Sequence, residues 1–305
     1  MSDQDVISEL NFWKQNVHSL NCKCLSEYKV PCVIVYSDVS DYACGAFSCQ
    51  LDNSIFHKMW TDEKQCISST WRELKAVQSC LEAFKKQFFG KSVKWYTDSK
   101  NCELIIQSGS MKGHLHELAM FIFSICVKNC INIDIQWIPR KLNAKSDAIS
   151  KIFDYDDWGV SVDFFKFVDG LFGPHSFDRF ANSENFKINK FDSKFHTPGT
   201  SGVDAFAFNW AGENNWLVPP LNLVNRVIEH CLACGAFGTL VVPKWESSPF
   251  WPLIFHSNSS CMHYISDVLE FMDPKDIYIY GSNKKSLFGS ERFKSSVLVI
   301  RISPL

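Results

Sequence analysis

Residues 32–60 constrain the fold most strongly, because three strand patterns follow one another there with only polar breaks between them. The first is the apolar run Cys-Val-Ile-Val-Tyr at 32–36, and the second and third are the segments 43–51 and 55–60. Consecutive strands with short connections pair as antiparallel neighbours. The sequence therefore predicts a three-stranded meander with a carboxylate, Asp38, just after its first strand.

The next part of the chain alternates helix and strand patterns. Ser68 and Ser69 can cap a helix over 70–87, on which apolar side chains recur at helical spacing. Residues 92–97 and 131–138 alternate apolar and polar side chains, as strands do. Further helices are predicted over 99–107, over 114–128, and after Asn143, which can cap the last one. This order predicts an α/β fold with a mixed sheet.

Four acidic residues of this region occupy positions that suit metal binding. Asp38 and Asp98 each follow a predicted strand, so they would lie together if those strands were neighbours. Glu73 falls within the apolar stripe of helix 70–87, where an unpaired charge is unfavourable. Asp147 lies in the first turns of the last helix. Two-metal phosphodiester hydrolysis needs such oxygen ligands around cations about 4 Å apart, and cations would relieve their repulsion.

The segments around these acids resemble the successive motifs of retroelement ribonuclease H, of the DIRS-type and LTR-like elements. They are Asp38-Val-Ser-Asp-Tyr-Ala-Cys-Gly-Ala, Ser69-Thr-Trp-Arg-Glu-Leu-Lys-Ala, Tyr96-Thr-Asp-Ser-Lys-Asn and Trp137-Ile-Pro-Arg-Lys-Leu-Asn-Ala-Lys-Ser-Asp-Ala-Ile-Ser. Their order and flanking patterns also agree with that family. The resemblance implies a ribonuclease H-like mixed five-stranded sheet flanked by helices over residues 28–152.

The resemblance further implies a reaction and a cofactor. The family cleaves the RNA strand of RNA–DNA hybrids and uses a DEDD set of metal ligands with two Mg²⁺ ions, for which Mn²⁺ can substitute. Asp38 and Asp98 would hold the central metal positions, and Glu73 would coordinate on the RNA side. Asp147 would bind the metal on the side of the nucleophile.

Contacts to nucleic acid are implied for a second set of residues, namely Ser99, Asn101, Arg140 and Asn143. Arg140 or Lys141 could meet a phosphate. Their loop lacks the histidine that many ribonucleases H carry there, which bears on rate rather than on reaction class. The formal net charge of -2 and the pI near 6.5 do not by themselves attract phosphate. Attraction would therefore come from cations, local patches or a partner such as a reverse transcriptase polymerase domain.

Composition limits the class of protein. With 46% hydrophobic and 21% charged residues, the chain can bury a core. The N-terminus has no apolar signal core, and no apolar run is long enough to span a membrane. The thirteen cysteines are therefore predicted to be reduced, in a cytoplasmic or nuclear protein. A zinc set of Cys231, Cys234, Cys261 and His263 is not favoured, because Cys231 and Cys234 fall in a helical pattern.

The flanking regions are assigned as follows. Residues 1–27, with a helix over 7–20, are interpreted as the remnant of a connection to a polymerase. Residues 153–175 are rich in Asp, Phe and Gly and are predicted to be a connector. Within them Asp154-Tyr-Asp-Asp157 resembles the paired aspartates of a polymerase, but no palm domain precedes it, so a polar connector is favoured.

Residues 176–305 predict a second α/β domain, with strands over 203–208, 216–218, 239–242, 276–280 and 297–302 and a helix over 223–234. The segments beginning at Phe177, Val203, Leu217 and Leu240 resemble the region after ribonuclease H in DIRS-type elements, which is similar to phage-type adenine methyltransferases. The resemblance implies a Rossmann-like, methyltransferase-type fold. The loop that would grip a base is Val218-Pro-Pro-Leu221, and it lacks both the acceptor and the aromatic ring. A degenerate domain is therefore predicted.

Three functions remain to be weighed. The first is a metal-dependent endonuclease that cleaves RNA in RNA–DNA hybrids as part of a retrotransposon reverse-transcriptase polyprotein. The second is a catalytically silent, domesticated or decayed retroelement fragment that binds nucleic acid or protein. The third, a DNA adenine methyltransferase, is disfavoured by the loop at 218–221.

Overall fold

A computed structural model describes residues 3–20, 30–51, 54–282 and 284–303 and divides into two compact units, Met1–Ile152 and Phe153–Leu305. The predicted boundary at residue 28 lies outside the described residues. Over the described ranges, every helix is too short or too polar to cross a membrane.

The first unit is built around a mixed sheet of five strands in the order β3-β2-β1-β4-β5. Strands β1, β2 and β3 are antiparallel neighbours, as the meander predicts, whereas β4 runs parallel to both β1 and β5. The helices and strands of this unit are α1 (Asp3–Leu20), β1 (Val33–Val39), β2 (Ala43–Ser48), β3 (Ser54–Met59), α2 (Asp62–Gln65), α3 (Ser69–Phe88), β4 (Ser92–Thr97), α4 (Lys100–Ser108), α5 (Gly113–Lys128), β5 (Asn132–Trp137) and α6 (Ala144–Ser150).

Helix α3 covers one face of this sheet. It begins where the Ser68 hydroxyl accepts a hydrogen bond from the Trp71 backbone N–H, which satisfies one of the free donors of the first turn. Its inner face carries Leu74, Val77 and Cys80, all fully buried in a core that also contains β1, β4 and α5 residues. The predicted apolar stripe of this helix is therefore confirmed.

Helix α6 packs on the opposite face of the sheet, against β2 and β1. Neighbouring residues of a strand point to opposite faces, so Cys44 and Ala46 face the α3 core while Gly45 faces α6. A Cβ atom on Gly45 would lie 2.6 Å from Ile149 Cγ2 and 2.6 Å from the Ser150 backbone nitrogen. Glycine is therefore required for this close approach of helix and strand.

Helix α1 packs on α5 within the first unit. The rings of Phe12 and Phe123 lie 5.7 Å apart, and His116 Nε2 lies 3.5 Å from the Glu9 carboxylate.

Three local predictions for the first unit need correction. Strand β1 continues to Val39, so Asp38 lies within the strand rather than after it. The segment Arg140–Asn143 forms a 3₁₀ turn rather than an open loop. Asn143 stands at the N-cap of α6, but its side chain makes no capping bond, because its Oδ1 accepts from the Ser146 hydroxyl (2.5 Å) while its amide donates to the Ser37 carbonyl (2.9 Å).

The second unit contains a five-stranded sheet in the order β12-β14-β11-β10-β7. Strands β7, β10 and β11 are parallel, and helix α8 connects β10 to β11, as in a βαβ unit. Strand β14 runs antiparallel to β11 and β12. The elements of this unit are β6 (Trp158–Val160), α7 (Val162–Phe172), β7 (Phe177–Asp178), β8 (Asp192–Ser193), β9 (Gly202–Val203), β10 (Asn214–Leu217), α8 (Val224–Cys234), β11 (Phe237–Pro243), β12 (Ile265–Phe271), β13 (Tyr278–Tyr280) and β14 (Val297–Ile302).

Two segments of the second unit differ from prediction. The predicted connector, 153–175, contains β6 and α7, and its Asp157 is buried and accepts a hydrogen bond from the Ser282 backbone N–H. The predicted strand 203–208 is wrong, because Asp204 has a positive φ of 60° and opens a 3₁₀ turn. The cysteines among the described residues form no disulfide.

Candidate metal centre

The register of the first sheet brings Asp38 and Asp98 together. Tyr36 of β1 pairs with Tyr96 of β4, so the residues two positions further along each strand reach the same edge. The neighbouring parallel strands that the sequence analysis required for these two acids are thus present. Asp38 is almost fully buried and Asp98 is half-buried.

Glu73 approaches the same edge from helix α3. Its side chain is buried beside that of Thr97, whose hydroxyl donates to Glu73 Oε2 at 3.5 Å. Thr97 is the last residue of β4 and directly precedes Asp98. Glu73 is therefore oriented by the same strand end that carries Asp98.

Asp38, Glu73 and Asp98 form a cluster in which one ligand atom from each residue lies within 4.8 Å of the others. Among the residues that the structure describes, no other group of three His, Cys, Asp or Glu side chains meets this condition. The alternative zinc set at Cys231, Cys234, Cys261 and His263 is thus not assembled.

Burial and mutual repulsion disfavour the charged forms of two acids in this cluster. Burial raises the pKa of Asp38 to about 6, and the charges of Asp98 and Asp147 act in the same direction. Burial also raises the pKa of Glu73 well above its ordinary range, with further contributions from Asp38 and Asp98. A cation at the cluster would favour the charged form of both groups. This hard oxygen donor set suits a divalent cation such as Mg²⁺ or Mn²⁺ better than a soft metal.

Asp147 is placed differently from the other three acids. Its Oδ1 accepts from Arg140 Nε (3.1 Å) and Nη2 (2.5 Å), and its Oδ2 accepts from Lys151 Nζ (2.5 Å). The bonds from Lys151 and Arg140 lower the pKa of Asp147. The charge of Asp147 is near enough to raise the pKa of Asp38. The Asp147 carboxylate itself is bonded to two cationic side chains.

The residues predicted to contact nucleic acid differ in exposure: two are exposed, one is half-buried and one is buried. Arg140 and Asn101 are exposed, although Arg140 holds Asp147 and the Asn101 amide lies 3.4 Å from the Thr70 hydroxyl. Ser99 is half-buried, and its hydroxyl caps α4 by accepting from the Cys102 backbone N–H. The Asn143 amide joins α6 to β1 through its bond to the Ser37 carbonyl. Because Asn143 is only 1% exposed, it does not fit a contact with nucleic acid.

Ser150 and Gly45 belong to this site, and sequence reasoning missed both. The Ser150 hydroxyl donates to Asp38 Oδ2 at 2.7 Å, and Gly45 pairs with Asp38 across β1 and β2. The helical spacing of Ser150 from Asp147 puts both on one face, which was the available signal.

A family model matches part of the first unit. Residues 31–124 match the RNase H-like domain found in reverse transcriptase. The matched segment contains Asp38, Glu73 and Asp98, whereas β5, α6 and Asp147 lie beyond it. The mixed five-stranded sheet with its helices fits the RNase H-like fold. A search of the curated proteins found no match.

Several solved structures are similar to part of the chain. RNase H1 from the halophilic archaeon Halobacterium salinarum has 19% identity and a TM-score of 0.31, over 38% of this chain and 92% of that one. LC11-RNase H1 in complex with an RNA/DNA hybrid has 18% identity and a TM-score of 0.34, over 38% and 92%. The foamy viral protease-reverse transcriptase in complex with an RNA/DNA hybrid has 12% identity and a TM-score of 0.31, over 42% and 21%.

Proposed function

We propose that the first unit is a metal-dependent ribonuclease H that cleaves the RNA strand of RNA–DNA hybrids. The observation that carries the proposal is the cluster of Asp38, Glu73 and Asp98, whose ligand atoms lie within 4.8 Å of one another. The match of residues 31–124 to the RNase H-like domain of reverse transcriptase supports the same reading. We propose two Mg²⁺ ions as the cofactor, with Mn²⁺ as an alternative, and Asp147 as the fourth ligand.

Each residue of the proposed site would have a separate role in the reaction. Asp38, Glu73 and Asp98 hold the cations, and the Thr97 hydroxyl orients Glu73. Divalent cations in such a site activate water and neutralise charge on the scissile phosphate. Arg140 is exposed at the rim and carries a planar guanidinium that suits a phosphate of the RNA strand. A phosphate there would compete with Asp147 for Arg140.

The wider context is part of the proposal. The matched family is the RNase H-like domain found in reverse transcriptase, which supports a retroelement origin and a polymerase domain as partner. For the second unit we propose a Rossmann-like, methyltransferase-type fold without methyl transfer. The parallel strands β7, β10 and β11 with the crossover helix α8 support the fold. The loop after β10, Val218 to Leu221, lacks the groups that would hold a base.

The substitution Asp98→Asn tests the proposed reaction. It removes one negative ligand while keeping the shape of the side chain. Loss of a residue that only hydrogen-bonds a metal ligand typically lowers metal affinity or activity by about 10–100-fold. Loss of a ligand itself is therefore expected to lower the rate of cleavage of a labelled hybrid by at least about 100-fold. Cleavage in Mg²⁺ is measured with the full chain, and EDTA should abolish it in the unsubstituted protein.

The matched control is Asp134→Asn, the same chemical change at an exposed acid that pairs with Lys94 on the sheet. It should cleave like the unsubstituted chain. Equal cleavage by Asp98→Asn and Asp134→Asn would contradict the proposed site. Tight binding of the hybrid without cleavage by the unsubstituted chain would instead favour the catalytically silent binding module.

A further inference from the structure

Ser150 contacts the metal cluster from helix α6. It is the last residue of the helix and is 0% exposed. Its hydroxyl lies 2.7 Å from Asp38 Oδ2 and 3.0 Å from the Asp147 backbone carbonyl. A hydroxyl has one proton, and the bond to a charged carboxylate is the stronger of the two. Ser150 is therefore a donor to Asp38.

The position of Ser150 is fixed by two neighbouring strands. The Ser40 hydroxyl, at the end of β1, donates to the Ser150 carbonyl at 2.6 Å. Gly45 of β2 lies so close that a Cβ atom there would be 2.6 Å from the Ser150 nitrogen. These two contacts therefore hold the main chain of Ser150 in place beside Asp38.

The Ser150 bond favours the charged form of Asp38, whereas burial and the neighbouring acids disfavour it. The neighbouring carboxylates Asp98 and Asp147 repel it, and burial removes the water that would solvate it. A carboxylate in these surroundings needs a donor to fix its plane. Holding Oδ2 also fixes the direction in which Oδ1 presents its lone pairs.

We propose that Ser150 is a positioning residue that orients the Asp38 carboxylate for divalent cation binding. This inference rests on the proposed function and deepens it. Groups that hydrogen-bond a metal ligand typically change metal affinity or activity by about 10–100-fold. In this role Ser150 acts through Asp38 and would itself touch neither the cations nor the substrate.

The test uses the full chain with Ser150→Ala and Ser150→Cys. Alanine removes the hydroxyl, and cysteine keeps nearly the same size but is only a weak donor. We expect both variants to bind Mg²⁺ about 10–100-fold more weakly by calorimetry. In cleavage assays the Mg²⁺ concentration for half-maximal rate should rise by the same factor. The KM for the hybrid and the rate at saturating Mg²⁺ should stay close to those of the unsubstituted chain.

The control is Ser92→Ala, which removes a buried hydroxyl at the opposite end of the same sheet. It should keep the Mg²⁺ affinity of the unsubstituted protein. A purely structural role for Ser150 predicts a lower melting temperature in EDTA with unchanged Mg²⁺ affinity, and that result would overturn the proposal. So would failure of both Ser150 variants to fold without metal. If Ser150→Ala alone fails to fold, the Mg²⁺ affinity of Ser150→Cys tests the proposal.

The two proposals fail in different ways. Mg²⁺ binding without cleavage of the hybrid would overturn the ribonuclease activity and leave the role of Ser150 testable by calorimetry. Cleavage with an unchanged Mg²⁺ requirement in both Ser150 variants would overturn the role of Ser150 alone.

Discussion

At the scale of single residues, His175 is a buried titratable group of the second unit with a hydrogen-bond partner on each ring nitrogen. Its side chain is fully buried, with Nδ1 donating to Asp169 (2.6 Å) and Nε2 accepting from the Thr239 hydroxyl (2.8 Å). Burial lowers the pKa of His175, and the charge of Arg301 acts in the same direction, while Asp169 opposes both. A protonated ring would turn Nε2 into a donor toward a hydroxyl that already accepts from Arg301.

We predict that protonation of His175 destabilises the folded unit. The unfolded chain binds this proton near an ordinary pKa of about 6.5, and the folded chain resists it. Stability is therefore fully present above that pH and falls as pH is lowered. The melting temperature should drop from about pH 7.5 to about pH 5.5, and less steeply in His175→Gln. Circular dichroism melts measure the slopes. His256→Gln, at an exposed histidine, is the control, and equal slopes in all three chains would contradict the prediction.

Some residues of the candidate site could be predicted from sequence, and others could not. Helical spacing placed Glu73 on the apolar face of α3, because the side a helical residue faces depends only on nearby sequence. The partners of Asn143 and Ser150 were missed, since Ser37 and Asp38 lie 106 and 112 positions away. Sequence patterns carry no information on such pairings until the sheet order is known.

At the scale of elements, the close packing of α6 on β2 depends on Gly45. Alanine is the better strand former, so local propensity alone predicts that Gly45→Ala stabilises the chain. The contacts of 2.6 Å predict the reverse, because both Ile149 and the main chain of Ser150 would have to move.

We predict that Gly45→Ala lowers the free energy of unfolding by about 1–3 kcal/mol, as overpacking typically does. It should also weaken Mg²⁺ binding, because α6 would carry Ser150 away from Asp38. Urea denaturation gives the first quantity and calorimetry the second. Gly113→Ala, at the start of α5 with nothing within 4 Å of its Cβ, should leave both unchanged or slightly raise stability. Equal stability of the two variants would refute the packing argument.

The elements themselves were predicted unevenly. The strands of the first unit were found because apolar residues alternate or cluster in them. In the second unit, β12 was missed because polar residues interrupt its apolar ones without a regular alternation and most of the strand is exposed or half-exposed. Residues 203–208 contain apolar side chains at strand spacing, but Asp204 accepts a bond from the Phe206 backbone N–H and forms a turn. Local turn chemistry outweighed strand propensity there.

At the scale of the whole molecule, the chain has a separate core in each unit. One buried cluster contains residues between Val33 and Ile135, and two others contain residues between Trp158 and Ile302. The division falls between Ile152 and Phe153. Sequence patterns located the change of character near residue 153, but not the helix α7 that follows it, because a Phe- and Gly-rich composition resembles that of a linker.

We predict that a fragment of residues 1–152 folds alone, because its core needs no residue from the second unit. It should unfold in one cooperative thermal transition and gain stability on addition of Mg²⁺. Circular dichroism with and without Mg²⁺ measures both. A fragment that melts without a cooperative transition would show that residues after 152 are needed for the fold.

The hydrogen bond between Ser150 and Asp38 also sets when the site can form during synthesis. It joins the first strand of the unit to its last helix, which leave the ribosome 112 residues apart. Contacts so distant in sequence form late in folding. Under the proposed function, a growing chain would hold three of its four acids long before α6 is translated. The site would therefore stay incomplete, and the chain unable to cleave a hybrid, until α6 has been translated and packed on the sheet.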